Sequence, residues 1–440
     1  MDGRAAATKF PMAWPPSLWA DTAGPLHGTQ DTLVGDHQAD VAVIGGGYTG
    51  LCAALRLAER GQMPAILDAN GIGWGASGRN GGVVSTKFRV SLPAVARAHG
   101  MAMARRMYDI GHDAVAEVER HVDELAIGDA DFQLRGNLRC AHNSVALDAL
   151  SAEAEIMRRE FGDTSIRMLA RAEVADESGS RDFVGGTLTP HAGTIHPLNY
   201  ARGLARALIA RGVPIFERTP ACSIRKAAGS IVIETPRGTL TARRLIVATN
   251  AYSDLTRASE PVRRAVIPFR SAMVATEPLA PELRDSMLRE RRSYSETRRM
   301  MRWFRPYGDR MIFGGRGAFG KADSRPAFDA LERAMRRIFP QLEGTRVTHR
   351  WSGLVAMTLD SVPQVGLLDR HTAFSLGYNG TGIATASLMG SRVADLLLGD
   401  MPDLGLLATP APKAVPLYPI REPAVRVVAG WYQFLDAIGR

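Results

Sequence analysis

The stretch "ADVAVIGGGYTGLCAALRLAERG", residues 39–61, runs from a short apolar segment through a glycine cluster into a helical repeat. "VAVI" is continuous and apolar, the pattern of a strand buried on both faces of a parallel sheet. Beyond the glycines, Leu51, Ala54, Leu55 and Ala58 recur at helical spacing, and Gly61 marks a C-terminal stop. "PAILDAN" (64–70) then supplies a second strand, ending at Asp68. Gly45, Gly47 and Gly50 form G-x-G-x-x-G between strand and helix, with Tyr48 and Thr49 inside the turn. The first glycine permits the tight turn, the second admits a pyrophosphate, and the third lets helix and strand pack closely. Free amides at the helix start bind the phosphate charge. Asp68 stands where an acid accepts hydrogen bonds from the adenosine ribose. The unit predicts a dinucleotide site. The acid disfavours a 2′-phosphate, which leaves NAD or FAD.

A second glycine cluster, "GASGRNGG" (75–82), follows the second strand closely, which puts it at the carboxyl edge of the sheet beside the first turn. Ser77, Arg79 and Asn80 offer donors beyond what one pyrophosphate needs, as a longer, two-ring cofactor would use. A flexible surface loop is the competing reading.

The chain has 440 residues, 45% of them apolar, enough for two or three folding units. No run approaches the roughly 18 uncharged apolar residues of a membrane span, and the proline-broken N-terminus lacks an apolar signal core. The expectation is a cytoplasmic protein with no integral membrane segment. Three scattered cysteines argue against a disulfide framework and a metal site. The net charge is +9, and only five of the 54 basic residues are lysine. The densest basic run is "RERRSYSETRRMMRWFR" (289–305). Without a nucleic-acid motif beside it, it reads as a solvated basic face, and no nucleic-acid partner is expected.

Residues 97–161 are predicted helical, 262–320 strand-rich and 327–339 helical. "SIVIETPRGTLTARRLIVATNAYS" (230–253) reads as a hairpin followed by a buried strand. "GYNGTGIATASLMG" (377–390) opens a long helix through a third glycine turn. The tail is proline-rich and ends in an amphipathic stretch, "VRVVAGWYQFLDAIG" (425–439).

Taken with "LIVATNAYS" (245–253), "RWSGLVAMTLDSVPQVG" (350–366) and "GYNGTG", these segments resemble the D-amino-acid oxidase superfamily of flavoproteins. They are most similar to its branch of bacterial amine and amino-acid oxidoreductases. The resemblance covers about 15–435. It implies an α/β fold of the glutathione-reductase-type 2 kind: a Rossmann-like FAD-binding domain with a mixed-sheet, α+β substrate domain. The FAD domain would comprise 36–95, 180–255 and 345–400, and the substrate domain 96–179 and 256–344. An N-terminal arm (1–35) and a C-terminal tail (401–440) would flank them. The resemblance places Ala76, Ser77, Arg79, Asn80, Gly81 and Gly82 along the cofactor, Ala221 by the adenine, and Thr249 and Asn250 near the ribityl and phosphate region. It sets Gly380, Thr381, Gly382 and Ile383 against the flavin, where the helix dipole would face the negative charge of the reduced ring.

The implied activity is FAD-dependent oxidation of an amine or amino acid. Hydride passes to flavin N5, the imine hydrolyses, and O2 reoxidises the flavin to give H2O2. No separate catalytic base is assigned; His191 and His196 read as loop hydrogen-bonders. In "MMRWFRPY" (300–307), Met301, Trp303 and Arg305 alternate with Arg302 and Phe304. Arg302 or Arg305 is a candidate for a substrate carboxylate, as is Lys87. Trp351, Tyr378 and Asn379 are candidates for the pocket wall. Relatives that react fast with oxygen often carry a lysine over the flavin, where Ile312 stands here. The cysteine of covalent flavoproteins has no counterpart, so FAD is expected to be non-covalent. Two alternatives stay open: a dehydrogenase passing electrons to a quinone or carrier protein, and a non-catalytic flavin-binding protein.

Overall fold

The computed structural model describes residues 11–29, 31–227, 229–255, 260–318, 324–418, 423 and 427. The expected opening unit forms as strand Gly35–Ile44, helix Tyr48–Glu59 and strand Pro64–Leu67. The two strands pair in parallel, with Ile44 opposite Leu67. On its other edge Gly35–Ile44 pairs in parallel with Gly238–Val247. There the expected hairpin and buried strand merge. Gly238–Val247 is one continuous strand, antiparallel to Ser230–Thr235 and parallel to Thr372–Leu376. The sheet runs in the order 364–369, 372–376, 238–247, 35–44, 64–67, 215–216. Its parallel strands end on one edge, so the turns that begin at Gly45, Asp68, Ala248 and Gly377 meet there, where open α/β sheets bind ligands.

Helix Tyr48–Glu59 is buried almost all round, from Tyr48 through Leu55 and again at Leu57. It lies against helices Gly382–Leu398 and Pro197–Ala210 as well as the sheet. An element packed on every face loses the polar stripe of a surface helix. Gly390 is what lets Gly382–Leu398 approach so closely: a Cβ there would lie 2.6 Å from the Thr49 carbonyl and 2.8 Å from Cys52 Cβ.

A second, mixed sheet runs in the order 347–357, 267–276, 310–318, 302–307, 293–296, 137–141, 185–189, 167–170. Among the described residues, its one parallel pair joins Ser293–Glu296 to Asn137–Ala141. Helix Arg325–Ile338 covers one face with Phe328, Leu331 and Met335.

Segment membership departs from the expected boundaries at three places. Gly185–Thr189 and Val347–Met357, expected with the cofactor unit, are strands of the second sheet. Helix Met101–Glu124, expected in the substrate unit, buries Ala104, Met107, Ile110 and Val118 in the core under the cofactor sheet. Strand Asn137–Ala141 interrupts the region predicted to be helical. The amphipathic stretch 425–439 lies outside the described residues, apart from Val427. Among the described residues no helix is long and apolar enough to cross a membrane.

The basic run 289–305 is paired rather than free. Arg289 meets Asp176, Arg292 meets Glu177, and Arg298 and Arg302 both meet the fully buried Glu296.

Close helix packing at Gly390 has a measurable consequence. Gly390→Val is expected to destabilise the flavin-free protein by about 1–3 kcal/mol through overpacking. Gly344→Ala, at a position with nothing within 4 Å of the added Cβ, is expected to change little. Denaturant unfolding of both variants checks this.

Candidate functional site

The glycine turns border one cavity of about 1620 Å³, which extends from the edge of the first sheet to the face of the second. A site for one small ligand usually has about 300–1,000 Å³, so this space holds a dinucleotide with room to spare. Every residue expected at the cofactor lines it except Gly50 and Gly82. Those two are packing positions. A Cβ at Gly50 would collide with the Gly45 carbonyl, and one at Gly82, where φ is +68°, with the Ile195 carbonyl.

At the first turn Gly45 has φ +114° and lies against the Ala248 backbone, where a Cβ would be 2.7 Å from the carbonyl oxygen. Helix geometry leaves the first-turn amides of Tyr48–Glu59 without intrahelical acceptors, in position for a phosphate. Ser77 Oγ accepts from the Tyr48 amide at 3.1 Å. Thr49 Oγ1 is 2.6 Å from the Tyr378 hydroxyl, itself 2.8 Å from Ser375 Oγ, which ties the first turn to the third. Asp68 accepts from the amides of Gly46 (2.7 Å) and Asn70 (2.8 Å). Burial still pushes its carboxyl up to about 6, with Glu217 adding to the rise.

The second cluster forms a short 3-10 turn, Ala76–Gly78, and then a loop held from outside through four successive carbonyls. Trp351 Nε1 donates to the Arg79 carbonyl (3.0 Å), and Trp19 Nε1 to that of Asn80 (2.8 Å). Arg305 Nε donates to the Gly81 carbonyl (2.8 Å), and the Ile195 amide to that of Gly82 (2.9 Å). The side chains of the loop turn inward to shape it. Asn80 Nδ2 donates to the carbonyls of Ala76 (3.1 Å) and Ser77 (3.0 Å), and its Oδ1 accepts from Gly82 N (2.8 Å). Arg79 Nε donates to the Trp74 carbonyl at 2.7 Å, with the guanidinium 4.1 Å from the Trp74 ring. The expected surplus of donors is therefore directed largely at the loop itself.

At the third turn Asn379 has φ +55° and Gly380 has φ +97°. Asn379 Oδ1 accepts from Thr358 N at 2.9 Å, and Asn250 Oδ1 from Gly377 N at 2.9 Å. The Thr381 hydroxyl donates to the Tyr378 carbonyl (3.0 Å) and does not cap the helix. Gly382 and Ile383 begin helix Gly382–Leu398 at the cavity wall, leaving first-turn amides for a developing negative charge. Ala221, Thr249 and Asn250 line the space between the turns. The cradle of glycines, the buried acid and two helix starts on one cavity fit FAD.

The substrate candidates separate. Lys87, Tyr378 and Asn379 line the cavity; Arg302, Arg305 and Trp351 do not. Arg302 donates to Glu296 at 2.7 Å. Arg305 is 3% exposed and bridges two carbonyls, with Nη2 on Ile195 O at 2.8 Å. Burial pulls its pKa down to about 10, which leaves it cationic at neutral pH. Trp351 is fully buried behind the loop with Trp19, Met273 and Ile312. His196 Nδ1 accepts from Asn199 N (3.0 Å), so Nε2 carries the hydrogen and donates to Thr22 Oγ1 (3.0 Å). This histidine caps helix Pro197–Ala210, and burial lowers its pKa to about 3.

Sequence reasoning missed Trp19, in an arm without periodicity, and the cavity residues Arg139, Thr187, Met273 and Ser295. These four occupy matched positions on different strands, so only strand register brings them together.

Two measurements probe the cradle. Trp19→Phe keeps an aromatic side chain but leaves the Asn80 carbonyl without its donor, and FAD affinity is expected to fall roughly tenfold, about 1.4 kcal/mol. Equilibrium titration of the flavin-free variant checks it. A carboxylate accepts from ribose hydroxyls more strongly than the protonated acid does, so FAD affinity is expected to weaken as pH falls below 6, and this dependence should vanish in Asp68→Asn. For the flavin-free fold the sign reverses. The raised carboxyl costs stability above pH 6, and the cost disappears as pH falls toward its unfolded value near 4.

Residues 40–396 match the FAD dependent oxidoreductase (DAO) family. Gamma-glutamylputrescine oxidoreductase of Escherichia coli (strain K12) is 30% identical over 416 residues, 93% of this chain and 95% of that protein. A probable oxidoreductase, OrdL, of Haemophilus influenzae is 30% identical over 402 residues, 90% and 92% of the two chains. The fold matches the crystal structure of glycine oxidase from Geobacillus kaustophilus with a TM-score of 0.72 at 22% identity, over 84% of this chain and 98% of that one. The glycine turns, the buried acid and the family match agree: the chain belongs to the FAD dependent oxidoreductase family, within the D-amino-acid oxidase superfamily, and its cofactor is FAD.

Proposed function

We propose that the protein oxidises the C–N bond of an amine or amino acid to an imine that hydrolyses, with O2 as the final acceptor and H2O2 as product. The observation that carries this reading is the extension of the cavity past the glycine turns, onto a wall built from the second sheet. Bound, non-covalent FAD supplies the hydride acceptor. The chain's own part is to hold the ring against Asn80, Gly81 and Gly380–Ile383, to exclude water, and to present the substrate carbon.

The wall near the loop is apolar. Trp303, Met273, Met300 and Met301 line it, and a Cβ at either Gly81 or Gly314 would crowd the Trp303 indole. A neutral amine is favoured in such surroundings, since burying an ammonium without a partner is costly. The related oxidoreductases and the glycine oxidase fold support the amine and amino-acid class.

One observation favours a second acceptor. Ile312 is buried with Trp19, Trp351 and Met273, so its position offers no cation toward the site. A dehydrogenase that reduces a quinone or carrier protein is therefore the alternative. We place the reaction in the cytoplasm, as the sequence expectation has it.

The test is anaerobic bleaching of the flavin by a panel of polyamines, N-methyl amino acids, cyclic imino acids and D-amino acids, followed by admission of air. Bleaching by at least one member and stoichiometric peroxide on reoxidation are expected. Bleaching without reoxidation in air selects the dehydrogenase, and no bleaching by any member contradicts the proposal.

A further inference from the structure

The register of the second sheet lays one row of residues across it: Thr187 opposite Arg139, Arg139 opposite Ser295, Ser295 opposite Trp303. The row continues from Trp303 to Gly314, Met273 and Trp351. Directly opposed residues share one face of a sheet, and Thr187, Arg139, Ser295, Trp303 and Met273 all line the cavity. One end of the row is therefore beside the glycine loop, where Gly81 makes room for the Trp303 indole. The other end is remote from it.

The remote end is polar and incompletely paired. Arg139 meets Glu153 at 3.2 Å, so those two charges offset each other. Lys87 lines the cavity beside them and, among the described residues, makes no hydrogen bond or ion pair. Burial and the nearby Arg139 lower the pKa of its ammonium, with Glu153 opposing them. The Thr187 hydroxyl is buried in the same wall and, among the described residues, has no hydrogen-bond partner. An unpaired cation and an unpaired hydroxyl facing one space call for an anionic acceptor of both.

We propose that Lys87, with Thr187 and Arg139, forms a carboxylate subsite at the end of the cavity away from the flavin. Strands lie about 4.8 Å apart, so Trp303 and Arg139, two strands apart, are separated by about 10 Å. An extended chain advances about 1.2 Å per bond, so the substrate is an elongated amine whose carboxylate is about eight bonds from the oxidised carbon. This inference rests on the amine-oxidation reading and adds the length and far-end charge of the substrate.

The test uses the FAD-loaded full chain with 8-aminooctanoate and octylamine. For the wild type the half-saturating concentration in anaerobic bleaching is expected to be at least tenfold lower for 8-aminooctanoate. In Lys87→Met the ratio of the two is expected to approach one, and in Lys87→Arg to be kept. An unchanged ratio in Lys87→Met overturns the proposal, as does equal preference for 4-aminobutanoate, whose carboxylate is too close to its amine to reach. If no amine bleaches the flavin, the oxidation reading falls, and calorimetric titration of octanoate still decides the subsite. Binding at least tenfold weaker in Lys87→Met supports it; equal binding, or none to either protein, overturns it.

Discussion

Four consecutive carbonyls, from Arg79 to Gly82, are each taken by a donor from outside their loop, and the rest of the site depends on this arrangement. The donors come from the N-terminal arm, from two strands of the second sheet and from the backbone at Ile195. A loop containing this many glycines has many conformations to lose, and its own side chains satisfy only part of it. Each external bond contributes about 0.5–1.5 kcal/mol, and together they select one conformer. The loop is therefore held jointly by the second sheet, the arm and the Ile195 backbone.

Arg305 shows what this coupling costs. A guanidinium 3% exposed would normally need a carboxylate, yet here it donates to two backbone carbonyls and lies 5.2 Å from the Trp19 ring centre. Ring faces and carbonyl dipoles offset part of the desolvation, and the fall of its pKa to about 10 records the remainder. An arginine in this position holds the loop, whereas a substrate anion would have to compete with two fixed carbonyl partners for it. Among the described residues, Lys87 lines the cavity without a hydrogen bond or ion pair.

The turns and the acid that border the cavity were legible in the sequence because their constraints are local. Gly45, Gly47 and Gly50 are required by one turn, Asp68 by the end of one strand, and Gly380 to Ile383 by one helix start. Substrate candidates were legible by residue type alone. Arg302 and Arg305 alternate on a strand as expected, but pattern cannot say that Glu296 waits for one and the loop carbonyls for the other. Arg139 and Thr187 meet through antiparallel register, and Trp19 through a contact 61 residues away in sequence. Helix Met101–Glu124 looked like any charged amphipathic helix, and only the core it enters assigns it to the cofactor side.

The central claim is that the flavin ring occupies the space between the externally held loop and the third glycine turn. A crystal structure of the FAD-loaded protein tests it most directly. The expected result is ring density along Asn80, Gly81 and Gly380–Ile383, with the bonds from Trp351, Trp19 and Arg305 to the loop carbonyls intact. A ring placed elsewhere in the cavity, or a loop whose carbonyls have turned away from those donors, would contradict the account.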